Sequence, residues 1–427
     1  MIDRTADSLA AALFAGDCTA EEAVATCLER IAARDSAIGA FVSLRADAAL
    51  AEARILDAHA RGQQRGPLHG LPFAAKDVFA TADLPTEYGS PLYRGFQPAS
   101  DAAAVQLLRR AGAILLGKVS TVEFAGVGAI PATRNPHDLE RTPGGSSAGS
   151  GAAVAGGLVP LALASQTGGS TIRPAAFCGV PGMKPSWGRV SVEGMKPFAP
   201  SLDTVGWIAE SAELLGRAAA ALQCARWPLP PAPDKLRIGY YPTPYISAAE
   251  AETLAMLQEV RQHLRAAGHE IIEVTGPPGA EQLNEWQDIV MFGEGQVSLL
   301  NDYLRDPQAA HPELRDVAMN ARGIDSATLL AASDAIAMLR PQFDAALAGF
   351  DAWLSPAVPG VAPLLTEGNG LATFNRLFTA LHLPCITLPV PRGPRELPLG
   401  LQLIGPRRGD PQLLAVAATV EKLLSHA

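Results

Sequence analysis

The sequence predicts a single large α/β/α domain, with helices flanking a central mixed, twisted β-sheet, and three observations carry that prediction. With 427 residues, 48% of them hydrophobic and only 18% charged, the chain can bury a substantial core. Over residues 236–274 a strand (236–241), a helix (250–267, closed by Gly268) and a second strand (270–274) follow one another, a unit that belongs in a mixed sheet. Residues 142–184 read TPGGSSAGSGAAVAGGLVPLALASQTGGSTIRPAAFCGVPGMK, two Ser/Gly clusters at the ends of an alanine-rich apolar run. A flexible linker is not bounded by core on both sides, so the clusters are two loops meeting around something.

Taken in order, about residues 1–62 read as amphipathic helices packed on the core. Thr19-Ala-Glu-Glu22 is a capping box opening a helix through Ala23, Cys27, Leu28 and Ile31, and a second helix spans 46–61. About 66–215 forms the catalytic core. There GPLHGLPFAAKDVF (66–79) combines turn signals with an apolar run, 71–75, that ends at Lys76. Ser100 caps a helix ending at Gly112, and a strand covers 113–116. Small side chains at 152–159 form a helix, 161–164 a buried strand and 167–170 a turn. Short strands at 188–192 and 201–208 and a proline-rich surface connection, 224–235, lead to the second half of the sheet, about 236–427. That half carries a helical insertion over 280–350, strands at 353–355, 385–389 and 401–404, and a closing helix at 410–424.

Composition narrows the function. A net charge of −9 gives no support to nucleic-acid or anionic-membrane binding. Cys18, Cys27, Cys178, Cys224 and Cys385 are odd in number and lack a CxxC pair, which fits reduced buried thiols better than disulfides or a zinc site. Asp3 and Asp7 argue against a signal peptide, and no apolar stretch runs 18 residues unbroken, so a cytoplasmic location is expected.

The chemistry starts from Lys76. A lysine beside an apolar run is ordinarily exposed or paired, and Asp77 stands next to it as a partner. Drawn out of water, its pKa falls from about 10.4 toward roughly 7–8, where a neutral amine serves as a base. Ser170 follows Gly168 and Gly169, whose N–H groups can hold a developing oxyanion. Its hydroxyl needs a base, and Ser146 can relay the proton to Lys76 if it lies between them. Two motifs mislead. GAILLGK (112–118) imitates a phosphate-binding loop, but its middle is strand-forming and Val119 stands where a hydroxyl is required. Gly145–Gly149 satisfies GxSxG, yet the preceding HDLERT is too polar for the buried strand a nucleophile elbow needs. His382, the best late histidine, reads as a core or loop residue.

LHGLPFAAKDVF, PGGSSAGSGAAVAGGLVPLALASQTGGS and RPAAFCGVPGMKPS together resemble the core motifs of the amidase signature family. DAAAVQLLRRAGAILLGKVSTVEFA and LPLGLQLIGPRRGDPQLL extend the resemblance to about residues 5–420. It implies a Ser–cis-Ser–Lys triad: Lys76 as base, Ser146 as bridging serine after a cis peptide bond, and Ser170 as nucleophile, 24 positions later. It further implies hydrolysis of a small carboxylic amide through an acyl-enzyme. The N–H groups of Thr167, Gly168, Gly169 and Ser170 hold the oxyanion, Ser147, Ser165 and Gln166 play supporting parts, and no metal or organic cofactor takes part. A homodimer is plausible on the same ground.

Ser165 and Gln166 stand where the family frequently has Thr and Asp, and the arginine moves to three places after the nucleophile, at Arg173. The malonamidase-like branch resembles this pattern, and there the arginine serves a substrate carboxylate; a guanidinium clamps a carboxylate through paired hydrogen bonds. The competing expectation is a structural pair between Arg173 and Asp203. Other functions stay open: the amidase component of a tRNA-dependent amidotransferase, an amidase or esterase for a neutral or aryl amide, a serine esterase with a histidine base, and a non-enzymatic binding protein.

Overall fold

Why the chain folds as it does is clearest at the strands around Lys76, which are buried along their whole length and therefore lie inside a covered sheet. The computed structural model describes residues 8–59, 66–390 and 397–425. In chain order its regular elements are α1 (Leu9–Ala15), α2 (Ala20–Ile38), β1 (Phe41–Leu44), α3 (Ala46–His59), β2 (Pro72–Lys76), α4 (Ala103–Arg110), β3 (Ile114–Val119), α5 (Ala148–Ala155), β4 (Leu161–Gln166), α6 (Ile172–Phe177), β5 (Gly182–Lys184) and β6 (Thr204–Ala209). The second half adds α7 (Ala212–Ala221), β7 (Arg237–Tyr240), α8 (Ala251–Ala266), β8 (Glu270–Glu273), α9 (Leu283–Arg305), α10 (Pro312–Ala318), α11 (Ser326–Leu347), β9 (Ala352–Pro356), α12 (Arg376–Ala380), β10 (Cys385–Val390), β11 (Leu399–Ile404) and α13 (Asp410–Ser425).

Among the described residues, eleven strands join one sheet in the order β1-β3-β2-β4-β6-β5-β10-β11-β9-β7-β8. The sheet is mixed, as expected: β2 lies parallel to β3 and β4, while β6 pairs antiparallel with both β4 and β5. Its two halves meet where β5 pairs antiparallel with β10. The strand-helix-strand unit is present as β7, α8 and β8, the two strands parallel.

Helices cover both faces. The capping box at Thr19 forms as read, with the Glu22 carboxylate accepting from the Thr19 N–H, and α2 buries Ala23, Val24, Cys27 and Ile31 in the main core. α5, built from alanine, glycine, serine and valine, is buried along its whole length because only small side chains let it lie this close to the sheet. The insertion over 280–350 consists of α9, α10 and α11. Among the described residues, no helix is long and apolar enough to cross a membrane.

Several expectations are corrected. The N-terminal part is not wholly helical, since Phe41–Leu44 forms β1 and pairs antiparallel with β3 at the sheet edge. Ser100 does not cap α4: the N-cap is Ala102, which has no side chain to offer, while Asp101 is turned to the Ala82 N–H. The strand expected at 113–116 runs on to Val119, so GAILLGK lies largely in β3. Residues 188–192 form no strand, and the expected strand at 201–208 begins only at Thr204. The helix expected at 152–159 starts four residues earlier and ends at Ala155. Asp3, Asp7 and residues 60 and 61 of the second expected helix lie outside the described residues.

Candidate active site

Lys76 is the last residue of β2, paired with β3 on one side and β4 on the other, and its side chain is fully buried. Its Nζ lies 2.8 Å from Ser146 Oγ and 2.8 Å from Ser165 Oγ. Burial holds the amine well below its ordinary pKa; Asp203 opposes that shift and Arg173 adds to it. Asp77 is not its partner. Strand alternation carries Asp77 away from Lys76, and its carboxylate accepts from Lys118 Nζ at 2.9 Å, a buried pair that Thr86 Oγ1 completes at 2.7 Å.

Ser146 sits in the loop before α5. The Gly145–Ser146 peptide bond is cis, and Gly144 before it takes φ +83°, where its missing Cβ leaves room for Pro174 and Phe177 at 3.0 Å. Ser147 ties this loop to β4: its Oγ donates to Ser165 O and accepts from Ser165 N–H. Ser165 is thereby held on the backbone side and presents its own hydroxyl to Lys76.

The turn from Thr167 to Ser170 follows β4 directly. Each of its four carbonyls accepts a hydrogen bond from a neighbouring group. Gln287 Nε2 donates to Thr167 O at 3.0 Å, Thr379 Oγ1 to Gly168 O at 2.7 Å, Arg173 N to Gly169 O at 2.9 Å, and Ser147 N to Ser170 O at 3.3 Å. The four N–H groups make no such bond among the described residues, so the turn shows its donors to whatever lies in front of it. Gln166 supports it from behind, its Oε1 accepting from Thr171 N–H and Ile172 N–H and its Nε2 donating to Thr379 Oγ1.

Ser146, Thr167, Gly168, Gly169, Ser170 and Arg173 line one cavity of about 180 Å3, walled further by Phe198, Met291, Phe292, Asn369 and Arg376. Ser170 is 9% exposed against 3% for Ser146 and none for Lys76, so access falls off from Ser170 to Lys76. The Ser170 hydroxyl makes no hydrogen bond with a described residue, Ser146 included; the two share the cavity wall.

Arg173 is not paired with Asp203. Its Nε and Nη2 donate to Gly145 O at 3.1 and 2.6 Å, and its Nη1 to Gly370 O at 2.5 Å. Asp203 instead accepts from Thr167 Oγ1, Phe198 N–H and Ala199 N–H. Arg173 meets no carboxylate among the described residues, and burial together with the nearby Arg376 lowers its pKa to about 10. Arg376 donates to Asp288, which also receives Arg322, itself stacked on Phe292. A larger cavity of about 370 Å3, sharing Gly126 and Phe292 with the first, lies beyond them. His382 is turned elsewhere, to Ser201 O and Arg340, and stacks on Trp187.

Sequence reading missed Gln287, Thr379, Arg376 and Lys118. For Gln287 a signal existed: Leu283, Gln287 and Val290 follow one helical stripe, and a polar side chain on a buried stripe needs a partner.

A family model described as Amidase matches residues 22–414. The chain belongs to the amidase family. The curated relatives of this amidase include the A component of the glutamyl-tRNA(Gln) amidotransferase of Anaeromyxobacter sp. (strain K), 34% identical over 95% of this chain and 93% of that one. A solved structure described as an amidase superposes with a TM-score of 0.87 at 31% identity, covering 97% of this chain and 98% of that one. The peptide amidase from Stenotrophomonas maltophilia superposes with a TM-score of 0.83 at 28% identity, covering 99% and 98%. The fold and the class of reaction, hydrolysis of an amide C–N bond, follow from membership and from these hydrolases.

Proposed function

We propose that this amidase cleaves a small, carboxylate-bearing amide such as malonamate to acid and ammonia through an acyl-enzyme. Neutral Lys76 takes a proton through Ser146 as the Ser170 Oγ attacks the amide carbonyl carbon. The negative charge that develops on the carbonyl oxygen is received by N–H groups of the 167–170 turn, and Ser146 returns the proton to the departing nitrogen. Water then attacks the ester carbon, and release of the acid restores Ser170. The observation that carries this reading is the fully buried Lys76 amine at 2.8 Å from Ser146 Oγ, its pKa lowered by burial, which supports its part as the base.

Support for a carboxylate in the substrate comes from charge. Arg173 and Arg376 both face a cavity of about 180 Å3, and Arg173 has no carboxylate against it among the described residues. Three of its five N–H bonds are directed at carbonyls, which leaves two for a ligand. The test is ammonia release from malonamate and from its methyl ester, in the wild type and in Arg173→Ala. Loss of a charge-assisted contact of about 1.5–3 kcal/mol lowers the preference for the free acid about 10- to 100-fold. An unchanged preference removes Arg173 from the substrate site.

Two further readings rest on particular observations. The adjoining cavity of about 370 Å3 favours a longer amide, as the likeness to a peptide amidase does. The relatives among glutamyl-tRNA(Gln) amidotransferases favour a glutamine-hydrolysing component that works with partner chains. Turnover of free small amides by the isolated chain, with no turnover of glutamine, decides against that second reading.

A further inference from the structure

Asp203 is buried just before β6, and the mechanism above does not use it. Its Oδ1 accepts from Thr167 Oγ1 at 2.6 Å, and its Oδ2 from Phe198 N–H at 2.7 Å and Ala199 N–H at 3.0 Å. Three donors converging on one carboxylate is the pattern that keeps a buried acid ionised. Thr167 is the first residue of the 167–170 turn, which lines the cavity. Burial lowers the Lys76 pKa; the charge of this carboxylate opposes that shift and Arg173 adds to it.

We propose that Asp203 is a positioning residue for the amide hydrolysis: through Thr167 it fixes the head of the oxyanion turn, and its charge sets the field in which Lys76 gives and takes its proton. The inference rests on the reading of Lys76 as the base. The charged groups that bear on the arrangement are Lys76 on β2, Arg173 on α6 and Glu294 on α9, the last of which receives the Ser201 N–H. Burial raises the Asp203 pKa to about 6 while its three donors pull it down, so the group is ionised in the neutral range and becomes protonated in mild acid. Ionised, it favours the Lys76 ammonium; neutralised, it lets the amine stay unprotonated to lower pH.

The experiment is the pH profile of kcat/KM for a small amide, whose acid limb follows the base of the free enzyme. Asp203→Asn removes the charge and keeps an acceptor for Thr167, and the acid limb moves to lower pH by about half a unit or more. Thr167→Val keeps the charge and loses the anchor, and kcat falls about tenfold with the limb in place. Asp203→Glu, which restores the charge, brings the limb back toward the wild-type position. Should Asp203→Asn fail to fold, Asp203→Ser leaves room for water at the two N–H groups and carries the same expected shift. A limb that stays put in the charge-neutral variant, or an unchanged kcat in Thr167→Val, overturns the proposal. Lys76→Ala is the separate control, because activity surviving there overturns the assignment of the base instead.

Discussion

Two neighbouring glycines in the 167–170 turn, the proposed oxyanion hole, are expected to respond unequally to the same substitution. At Gly169 an added Cβ meets Asn375 Oδ1 at 2.6 Å, Ala372 Cβ at 2.8 Å and Asn375 Cβ at 3.1 Å. Those atoms cannot swing aside cheaply, because Asn375 is tied by its Nδ2 to Ala357 O at 2.9 Å and by its N–H to Ala372 O. At Gly168 the nearest atoms are Arg376 Cγ and Gln287 Nε2, both at 3.8 Å, which is ordinary contact. Gly169→Ala therefore overpacks a closed site, at a cost of about 1–3 kcal/mol, and the turn has to back away from α12 to relieve it. Displacing a single oxyanion donor costs about 100- to 1,000-fold in kcat, so the variant loses activity on that scale and a few degrees of melting temperature. Gly168→Ala keeps its melting temperature and most of its kcat. Ammonia release at saturating amide and thermal unfolding of both proteins make the comparison. A Gly169→Ala enzyme with near-normal kcat, or equal losses at the two positions, refutes the steric reasoning.

Three other perturbations have defined outcomes. Lys76→Met removes the proposed base and is expected to lower kcat by about a thousandfold or more, the remainder coming from binding and the proposed oxyanion donors. Stability adds a sign to that test: the folded amine sits well below its ordinary 10.5, so the unfolded chain binds the extra proton in the window beneath 10.5, and wild-type stability relative to Lys76→Met rises with pH there. Urea unfolding of the two proteins across that window that shows a falling difference rules out a depressed lysine. Lys118→Met strands the Asp77 carboxylate in the interior, and chemical denaturation registers a loss of about 3–5 kcal/mol; a loss near zero means that the pair is solvated. His382 is held neutral by burial and then by Arg340, its pKa lowered to about 3, and its contribution to stability is present above 6.5 and lost as pH falls toward 3. His382→Gln leaves the pH profile of turnover in place, whereas a histidine-based esterase would lose about 100- to 10,000-fold.

Local chemistry was legible where a short segment states it. Lys76 ending an apolar strand, Ser170 behind two glycines, the Thr19 capping box and the strand-helix-strand unit from β7 to β8 could all be read from neighbouring residues. What could not be read depends on chain returning from far away. Asp77 looked like the partner of Lys76 because it is adjacent, but only the parallel pairing of β2 with β3 reveals that Lys118 claims it. Arg173 was expected to meet either Asp203 or a ligand, and no spacing rule foretells that it reaches back to Gly145 O and across to Gly370 O. Gln287 and Thr379 come from 120 and 211 positions beyond the carbonyls they bind, and those bonds hold the carbonyl side of the turn. β1 was missed because its four residues are half solvent-facing and lie between two strong helical patterns.

Asp288 has one carboxylate and two claimants, Arg376 on the wall of the inner cavity and Arg322 over Phe292 at the edge of the outer one. An anion arriving beside Arg376 competes with Asp288 for that guanidinium and leaves the acid freer to hold Arg322 more tightly. Binding in the cavity of about 180 Å3 is thus expected to reach the rim of its neighbour through a single shared acid.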